Sequence, residues 1–164
     1  MNSLCAVGMG ANLGDPEATL ERAINLMRLH HGLSVSSISS FWLTEPVGGP
    51  KNQNWFFNRV ILLSSSLTTV QVFRVLSDIE LLLGRIRTEK WGPRLIDLDF
   101  LFRDQEVLEL PELIIPHPML HERGFVLKPL AEVAPDWVHP FLKLTVTEML
   151  ERLPPGGPEA KKLP

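Results

Sequence analysis

The chain has 164 residues, 45% hydrophobic and 21% charged, with a formal net charge of −3. This length fits one domain with its own core, and the charge excludes the broad positive field that collects nucleic acid nonspecifically. The single cysteine, Cys5, excludes an intrachain disulfide and a thiolate zinc site. No apolar run approaches the roughly 18 residues of a membrane span, and the N-terminus lacks secretory-signal features. We therefore expect a cytoplasmic protein without a nucleic-acid or membrane partner.

In chain order, the first half of the sequence predicts regular elements with clear start signals. Asp15 followed by Pro16 is typical of a helix start, because aspartate caps free backbone N–H groups and proline suits the first turn. Thr68 and Gln71 have the spacing of a capping box before a second helix. The predicted order is strand, helix, strand, strand, helix, strand, over residues 3–9, 16–30, 33–42, 55–63, 69–83 and 95–102.

This order predicts the α+β class, with a ferredoxin-like antiparallel sheet and helices on one face. The other face of the sheet would remain free for loops and a site. Extra C-terminal elements follow: a turn at 104–105 with a short return strand, an irregular segment, and helical segments near 125–133 and after Thr145. We expect a single domain over residues 1–153 and a disordered Pro- and Gly-rich tail over residues 154–164.

Asp97 and Asp99 alternate with apolar residues in the sixth predicted element. Because alternate side chains of a strand share a face, the two carboxylates should point the same way. The residues expected to point to the core are Ile96, Leu98, Phe100 and Phe102. Adjacent carboxylates repel unless a cation lies between them, and Mg²⁺ prefers carboxylate oxygens together with water and phosphates. The pair predicts a metal site; the alternative is a solvent-facing polar pair.

The loop before this strand is rich in basic residues and contains an exposed tryptophan, Trp91. Its basic residues are Arg85, Arg87, Lys90 and Arg94. Arginine forks suit phosphate groups, and a loop of this kind favours a lid that closes on an anion. The alternative is a solvated charge run. Together with the carboxylate pair, the loop predicts metal-assisted phosphoryl chemistry.

Other residues indicate a second half of the site. Asn58 lies in an otherwise apolar strand, and a buried amide needs hydrogen-bond partners, which a planar heterocycle could supply. His117, held between two prolines, and Arg123 could jointly bind a phosphate, although a structural histidine in a turn is the alternative. Phe56 and Phe125 could line the same pocket or could simply belong to the core.

Seven short motifs in order carry a family resemblance: GANLG at 10–14, TEPVGG at 44–49, FFN at 56–58, KWGPR at 90–94, DLD at 97–99, PHP at 116–118 and ERGF at 122–125. Over about residues 4–153, the chain resembles the 6-hydroxymethyl-7,8-dihydropterin pyrophosphokinases of folate biosynthesis. Phe56 stands where many relatives have tyrosine, so a hydroxyl contact is lost while stacking is kept.

The resemblance implies transfer of a pyrophosphoryl group from ATP to the hydroxymethyl oxygen of a reduced pterin, with release of AMP. It implies that Asp97 and Asp99 hold two Mg²⁺ ions, and that Arg85 and Arg94 bind phosphates and stabilise charge in the transition state. The residues expected to serve ATP are Glu80, Arg87, Trp91, His117 and Arg123. The residues expected to contact the pterin are Thr44, Val47, Gly48, Phe56, Asn58 and Phe125. We expect a monomer that acts on these two small molecules.

Two other functions fit parts of the sequence. A metal-dependent nuclease or nucleotide hydrolase would use the same aspartate pair, but it would need a wider basic surface than a net charge of −3 offers. A noncatalytic ligand-binding domain is also common among ferredoxin-like folds, but it would need neither a carboxylate pair nor a basic loop.

Overall fold

The structure, a computed structural model, describes residues 2–85 and 91–164. The strands are β1 Ser3–Ala11, β2 Leu33–Ile38, β3 Trp42–Thr44, β4 Phe56–Ser65, β5 Asp97–Arg103, β6 Leu108–Leu110, β7 Leu113–Ile115 and β8 Ala160–Lys162. The helices are α1 Pro16–Leu29, α2 Thr69–Leu82, α3 Gly124–Val133 and α4 Val146–Glu151, with one 3-10 turn at Leu120–Glu122.

The predicted helix starts are confirmed by their caps. The Asp15 side chain accepts a hydrogen bond from the Ala18 N–H, with Pro16 in the first turn of α1. Thr68 and Gln71 form a reciprocal capping box at the start of α2. Each bond satisfies a backbone donor that has no partner within its own helix.

The main sheet has the order β5-β1-β4-β3-β8, and β2 pairs with β4 as well. All of its pairings are antiparallel. The predicted strand over residues 33–42 is divided into β2 and β3, which pair with different parts of β4. The division falls at Ser39, whose backbone N–H donates to Val60 O and whose hydroxyl accepts from the Val60 N–H. This side-chain bond replaces a ladder bond and interrupts the regular pairing.

The α+β class is confirmed, and the predicted order of elements holds apart from the division of residues 33–42 between β2 and β3. Helices α1 and α2 cover one face of the sheet, where the odd-numbered residues of β1 join a continuous core with residues of α1, α2 and β5. Cys5 belongs to this core, and burial raises the pKa of its thiol to about 11. Among the described residues, no helix combines the length and apolar character needed to cross a bilayer.

The sequence predicted that the second face of the sheet would remain free for loops and a site. In the structure this face is partly covered by helices. Helices α3 and α4 cover part of it and form a second core with Ala6 and Leu62 of the sheet. Phe102 belongs to this second core and not to the first, where it was predicted. The pairing of β1 with β5 shifts by one residue at Leu101, so a bulge turns the following side chain to the other face.

The tail expected to be disordered contains a strand in the structure. β8 pairs with β3 at the edge of the main sheet, and Leu163 N–H donates to Phe41 O. The Pro- and Gly-rich composition of residues 154–158 does not extend into this short segment, which can pair because β3 presents unpaired backbone groups.

Candidate active site

Two glycines of the interior strand β1 form the floor of the site. Gly10 lies opposite Asp97 of β5 on one side and opposite Asn58 of β4 on the other, while Gly8 lies opposite Asp99. Since directly paired residues share a face, the carboxylates and the amide lie on the same side of the sheet. A Cβ atom on Gly10 would lie 2.8 Å from Asn58 Oδ1. The missing side chains therefore leave a trough between the two polar groups.

A cavity of about 410 Å³ occupies this trough, and residues 124–126 at the start of α3 form part of its lining. Ten of the residues predicted from sequence line it: Thr44, Val47, Phe56, Asn58, Trp91, Arg94, Asp97, Asp99, Arg123 and Phe125. Its size suits a small organic ligand or part of a nucleotide.

Four predicted site residues lie outside the cavity lining: Gly48, Glu80, Arg85 and His117. Arg87 and Lys90, which were also predicted, lie outside the described residues. Gly48, Arg85 and His117 each contact a residue that lines the cavity, and Glu80 contacts Arg85.

Glu80 and Arg85 stand behind the carboxylate pair. Arg85 forms ion pairs with Glu80 and with Asp97, with 3.3 Å between its Nη2 and Asp97 Oδ1. Glu80 Oε2 also accepts the backbone N–H of Leu98 at 2.8 Å. Burial raises the pKa of the Glu80 carboxyl, while the hydrogen bond from Leu98 and the charge of Arg85 oppose this rise. Glu80 thus orients Arg85 beside Asp97. Through its bond to Leu98 it also anchors Arg85 to the edge strand β5.

The environment of Asp99 disfavours its charged form. Burial and the neighbouring charge of Asp97 raise the pKa of Asp99 to about 7, against the opposing charge of Arg123. A cation between the two carboxylates would offset the repulsion and favour loss of this proton at lower pH. Two convergent carboxylates are a suitable donor set for Mg²⁺. Among the described residues, no group of three or more His, Cys, Asp and Glu side chains gathers, so water and phosphate would complete the coordination.

His117 is held in one tautomer by its backbone surroundings. Its N–H donates to Leu101 O at 2.7 Å, and its ring Nδ1 accepts the N–H of Met119 at 3.1 Å. Burial and the charge of Arg123 lower the pKa of His117 to about 4. At neutral pH the ring is therefore uncharged, and with Nδ1 as acceptor its proton is on Nε2, where it can be donated to a ligand.

Asn12 connects three segments around the site and is not among the residues predicted from the sequence. The residue is only 2% exposed. Its Oδ1 accepts the Arg94 N–H at 2.8 Å, while its Nδ2 donates to Gln53 Oε1 at 3.0 Å and to Asn54 O at 2.9 Å. A buried asparagine inside the GANLG motif was the available signal, since such a side chain must find several partners.

The loop after β3 and the segment that begins at Trp91 pack against each other. Gly48 has a φ of +67°, and a Cβ atom there would lie 2.7 Å from Trp91 Cε3. Gln53 Nε2 donates to Trp91 O at 3.1 Å. Gly48 therefore allows the indole of Trp91 to approach the loop, but Gly48 itself does not line the cavity. Trp91 itself is 55% exposed.

The other end of the cavity is aromatic and amide-lined. Asn58 and Thr44 are both buried, and Asn58 Nδ2 donates to Thr44 Oγ1. This bond orients the amide so that Oδ1 lies beside Gly10, where a ring N–H could donate to it. Phe56 and Phe125 line the same region, and the Arg123 guanidinium lies 5.5 Å from the centre of the Phe125 ring.

The fold and the site define an α+β protein with a two-ended cleft, acidic and cationic at one end, aromatic and amide-lined at the other. Residues 6–135 match the family model described as 7,8-dihydro-6-hydroxymethylpterin-pyrophosphokinase (HPPK). The chain is 40% identical over 133 residues to a 2-amino-4-hydroxy-6-hydroxymethyldihydropteridine pyrophosphokinase of Bacillus subtilis, covering 81% of this chain and 79% of the relative. It is 39% identical to the enzyme of that name from Methylorubrum extorquens, covering 93% and 95%.

Solved structures agree at the level of the fold. The wild-type HPPK-DHPS of Plasmodium falciparum matches 93% of this chain with a TM-score of 0.73 and 15% identity. This chain spans 45% of the length of that solved chain. The chain belongs to the 7,8-dihydro-6-hydroxymethylpterin-pyrophosphokinase family. The resemblance stated from its motifs is thereby confirmed, and the protein is an enzyme of the pyrophosphokinase class that acts in folate synthesis. The nuclease alternative finds no support in these similarities.

Proposed function

We propose that the protein transfers the pyrophosphoryl group of ATP to the hydroxymethyl oxygen of 6-hydroxymethyl-7,8-dihydropterin and releases AMP. One observation carries this proposal: a single cavity joins Asp97, Asp99 and Arg94 to Asn58 and Phe125. The first three residues suit phosphates with a cation, and the last two suit a flat heterocycle. Both substrates of a transfer reaction could therefore meet in one space.

At the acidic end, Asp97 and Asp99 would hold Mg²⁺, which when bound neutralises phosphate charge and orients the phosphate oxygens. The residues of the chain supply the rest of the electrostatic environment. Arg94 and Arg123 line the cavity, and Arg85 approaches from behind Asp97. His117 can donate its Nε2 proton to a phosphate oxygen while uncharged.

At the other end, Asn58 and Thr44 would bind the polar edge of the pterin, and Phe56 and Phe125 would stack on its faces. The chemistry then needs little from the protein besides position. The hydroxymethyl oxygen bonds to the β-phosphorus of ATP and releases its proton to water. The bond from that phosphorus to the oxygen bridging to the α-phosphorus breaks, which frees AMP. Among the described residues, the cavity lining contains neither histidine nor cysteine, as direct transfer without a covalent enzyme intermediate allows.

The decisive experiment incubates the protein with ATP, Mg²⁺ and 6-hydroxymethyl-7,8-dihydropterin and measures AMP and the pterin diphosphate. We expect both products to form together in equal amounts. AMP formed at the same rate without pterin would indicate a nucleotide hydrolase and contradict the proposal. A further control omits Mg²⁺, which should stop the reaction.

We further propose that the protein is a cytoplasmic monomer. The cavity is built from one chain, and Cys5 is buried and free, so the chemistry requires neither a second copy nor an oxidising compartment. Light scattering in the presence and absence of both substrates would test the oligomeric state.

A further inference from the structure

The wall of the cavity at the pterin end includes three residues near the C-terminal end of the sequence. Pro158, Glu159 and Ala160 line the same space as Thr44 and Asn58. These residues lie beyond residue 135, where the match to the family model ends. Their part in the site is therefore a property of this chain's structure and not of the family motifs.

Backbone bonds hold this segment against β3 and the loop that follows. Thr44 is paired directly with Ala160 in the sheet. One residue further on, Glu45 N–H donates to Glu159 O at 2.9 Å, and Glu159 N–H donates to Glu45 Oε2 at 3.0 Å. The pairing thus continues past β3 into the loop that carries Val47 and Gly48.

A second connection joins β8 to α3. Lys162 Nζ lies 3.0 Å from Glu132 Oε1, and Glu132 Oε2 accepts the N–H of Ser40 at 2.7 Å. Helix α3 begins with Gly124 and Phe125. β8 is therefore attached both to the strand that carries Thr44 and to the helix that carries Phe125.

The alternation of side chains directs Ala160 towards the cavity. Because Ala160 pairs with Thr44, and Thr44 pairs with Phe56, all three side chains share one face of the sheet. Lys161 points to the other face, where its Nζ lies 5.5 Å from the centre of the Trp55 ring. A larger side chain at residue 160 would enter the cavity, while one at residue 161 would not.

We propose that β8 is a wall of the pterin pocket and that Ala160 is a specificity-determining residue, which limits how large a heterocycle the pocket admits. This inference rests on the proposed function, since it takes the reduced pterin as the occupant. It assigns no role to β8 in ATP binding, because Asp97, Asp99 and Arg94 lie across the trough from it.

The test compares Ala160→Leu with Lys161→Leu, which places the same side chain on the opposite face of the same strand. Dihydropterin affinity is measured by intrinsic pterin fluorescence with a nonhydrolysable ATP analogue present, and the KM values of both substrates are measured separately. We expect Ala160→Leu to raise the Kd and KM of the pterin about tenfold or more, because overfilling a packed site displaces the ligand. The KM of ATP should change less than about twofold, and Lys161→Leu should change neither substrate.

Circular dichroism melting confirms that each variant is folded, and Ala160→Val provides a smaller enlargement if the leucine variant is not. A folded variant with unchanged pterin affinity would overturn the inference, as would equal losses for ATP and pterin. Failure of the proposed function is distinguishable, because the wild-type protein itself would then neither bind the pterin nor release AMP in response to it.

Discussion

Asp99 has the most strongly perturbed carboxyl environment at the scale of single residues. Its raised pKa, about 7, means that the folded protein binds a proton there at pH values where the unfolded chain has already lost it. The stability associated with this group is therefore present below the ordinary aspartate pKa of about 4 and is lost as pH rises through about 7. A divalent cation reverses this penalty because it favours the deprotonated form.

Asp99→Asn should remove this pH dependence. In metal-free solution we expect the variant to melt roughly 2–4 °C above the wild type at pH 8, because the amide carries no charge beside Asp97. Near pH 5 the two proteins should melt at similar temperatures. Melting curves in EDTA provide the measurement, and a constant difference between pH 5 and pH 8 would show that Asp99 does not titrate in this range. Added Mg²⁺ should stabilise only the wild type, and more strongly at pH 8 than at pH 6.

Arg94 should serve the chemical step more than the binding of the pterin. It lines the cavity beside Asp97, and its backbone is held by Asn12. We expect Arg94→Ala to lower kcat about 10²- to 10³-fold, since a cation placed at developing phosphate charge acts mainly in the transition state. The Kd of the pterin, from fluorescence titration, should change less than about threefold. A variant that loses pterin affinity but keeps its kcat would place Arg94 at the wrong end of the cleft.

At the scale of elements, the interior strand β1 differs in how much space it has for a side chain at Gly8 and at Gly10. A Cβ atom on Gly10 would lie 2.8 Å from Asn58 Oδ1, whereas one on Gly8 would meet Leu101 at an ordinary 3.5 Å. Neither glycine has a positive φ. The difference is therefore one of space and not of backbone strain.

The pair Gly10→Ala and Gly8→Ala tests whether the trough must stay open beside the amide. We expect Gly10→Ala to raise the KM of the pterin about tenfold, because Asn58 must move away from its position against Thr44. Gly8→Ala should change it less than about threefold, as its methyl group makes only normal contacts. Steady-state kinetics of both variants decide the matter, and equal effects would mean that the position of Asn58 is unimportant.

At the scale of the whole molecule, Asn12 joins parts of the chain that are far apart in sequence. Its side chain contacts the loop at Gln53 and Asn54 and the segment at Arg94. The loop also carries Val47, which is predicted to contact the pterin, and Arg94 is predicted to bind phosphate. One buried amide thus holds both ends in a fixed relation.

Asn12→Ala should disturb both substrates together. We expect the KM values of ATP and of the pterin each to rise about threefold to tenfold, because the Arg94 N–H and Asn54 O lose their side-chain partner and the two segments that carry them are freed. Thr19→Ala provides a control for the loss of a buried polar side chain away from the cleft, since over residues 2–85 and 91–164 its hydroxyl bonds only within α1 and its cap. An Asn12 variant that affects one substrate alone would show that the two loops are not coupled through this residue.

Local patterns in the sequence determined much of this protein. The caps at Asp15 and Thr68 and the alternation around Asp97 and Asp99 depend on neighbours in the chain, so the helices, the carboxylate pair and the family motifs could be recognised without a structure. Only the tertiary structure decided the contacts between distant residues. The bulge that turns Phe102, the bonds of Asn12 and the place of β8 in the cavity wall all depend on pairing between segments 40 to more than 100 residues apart. Such pairing depends on the strand edges and buried hydrogen-bond donors that still lack partners after the local elements have formed. A local sequence pattern does not contain this information.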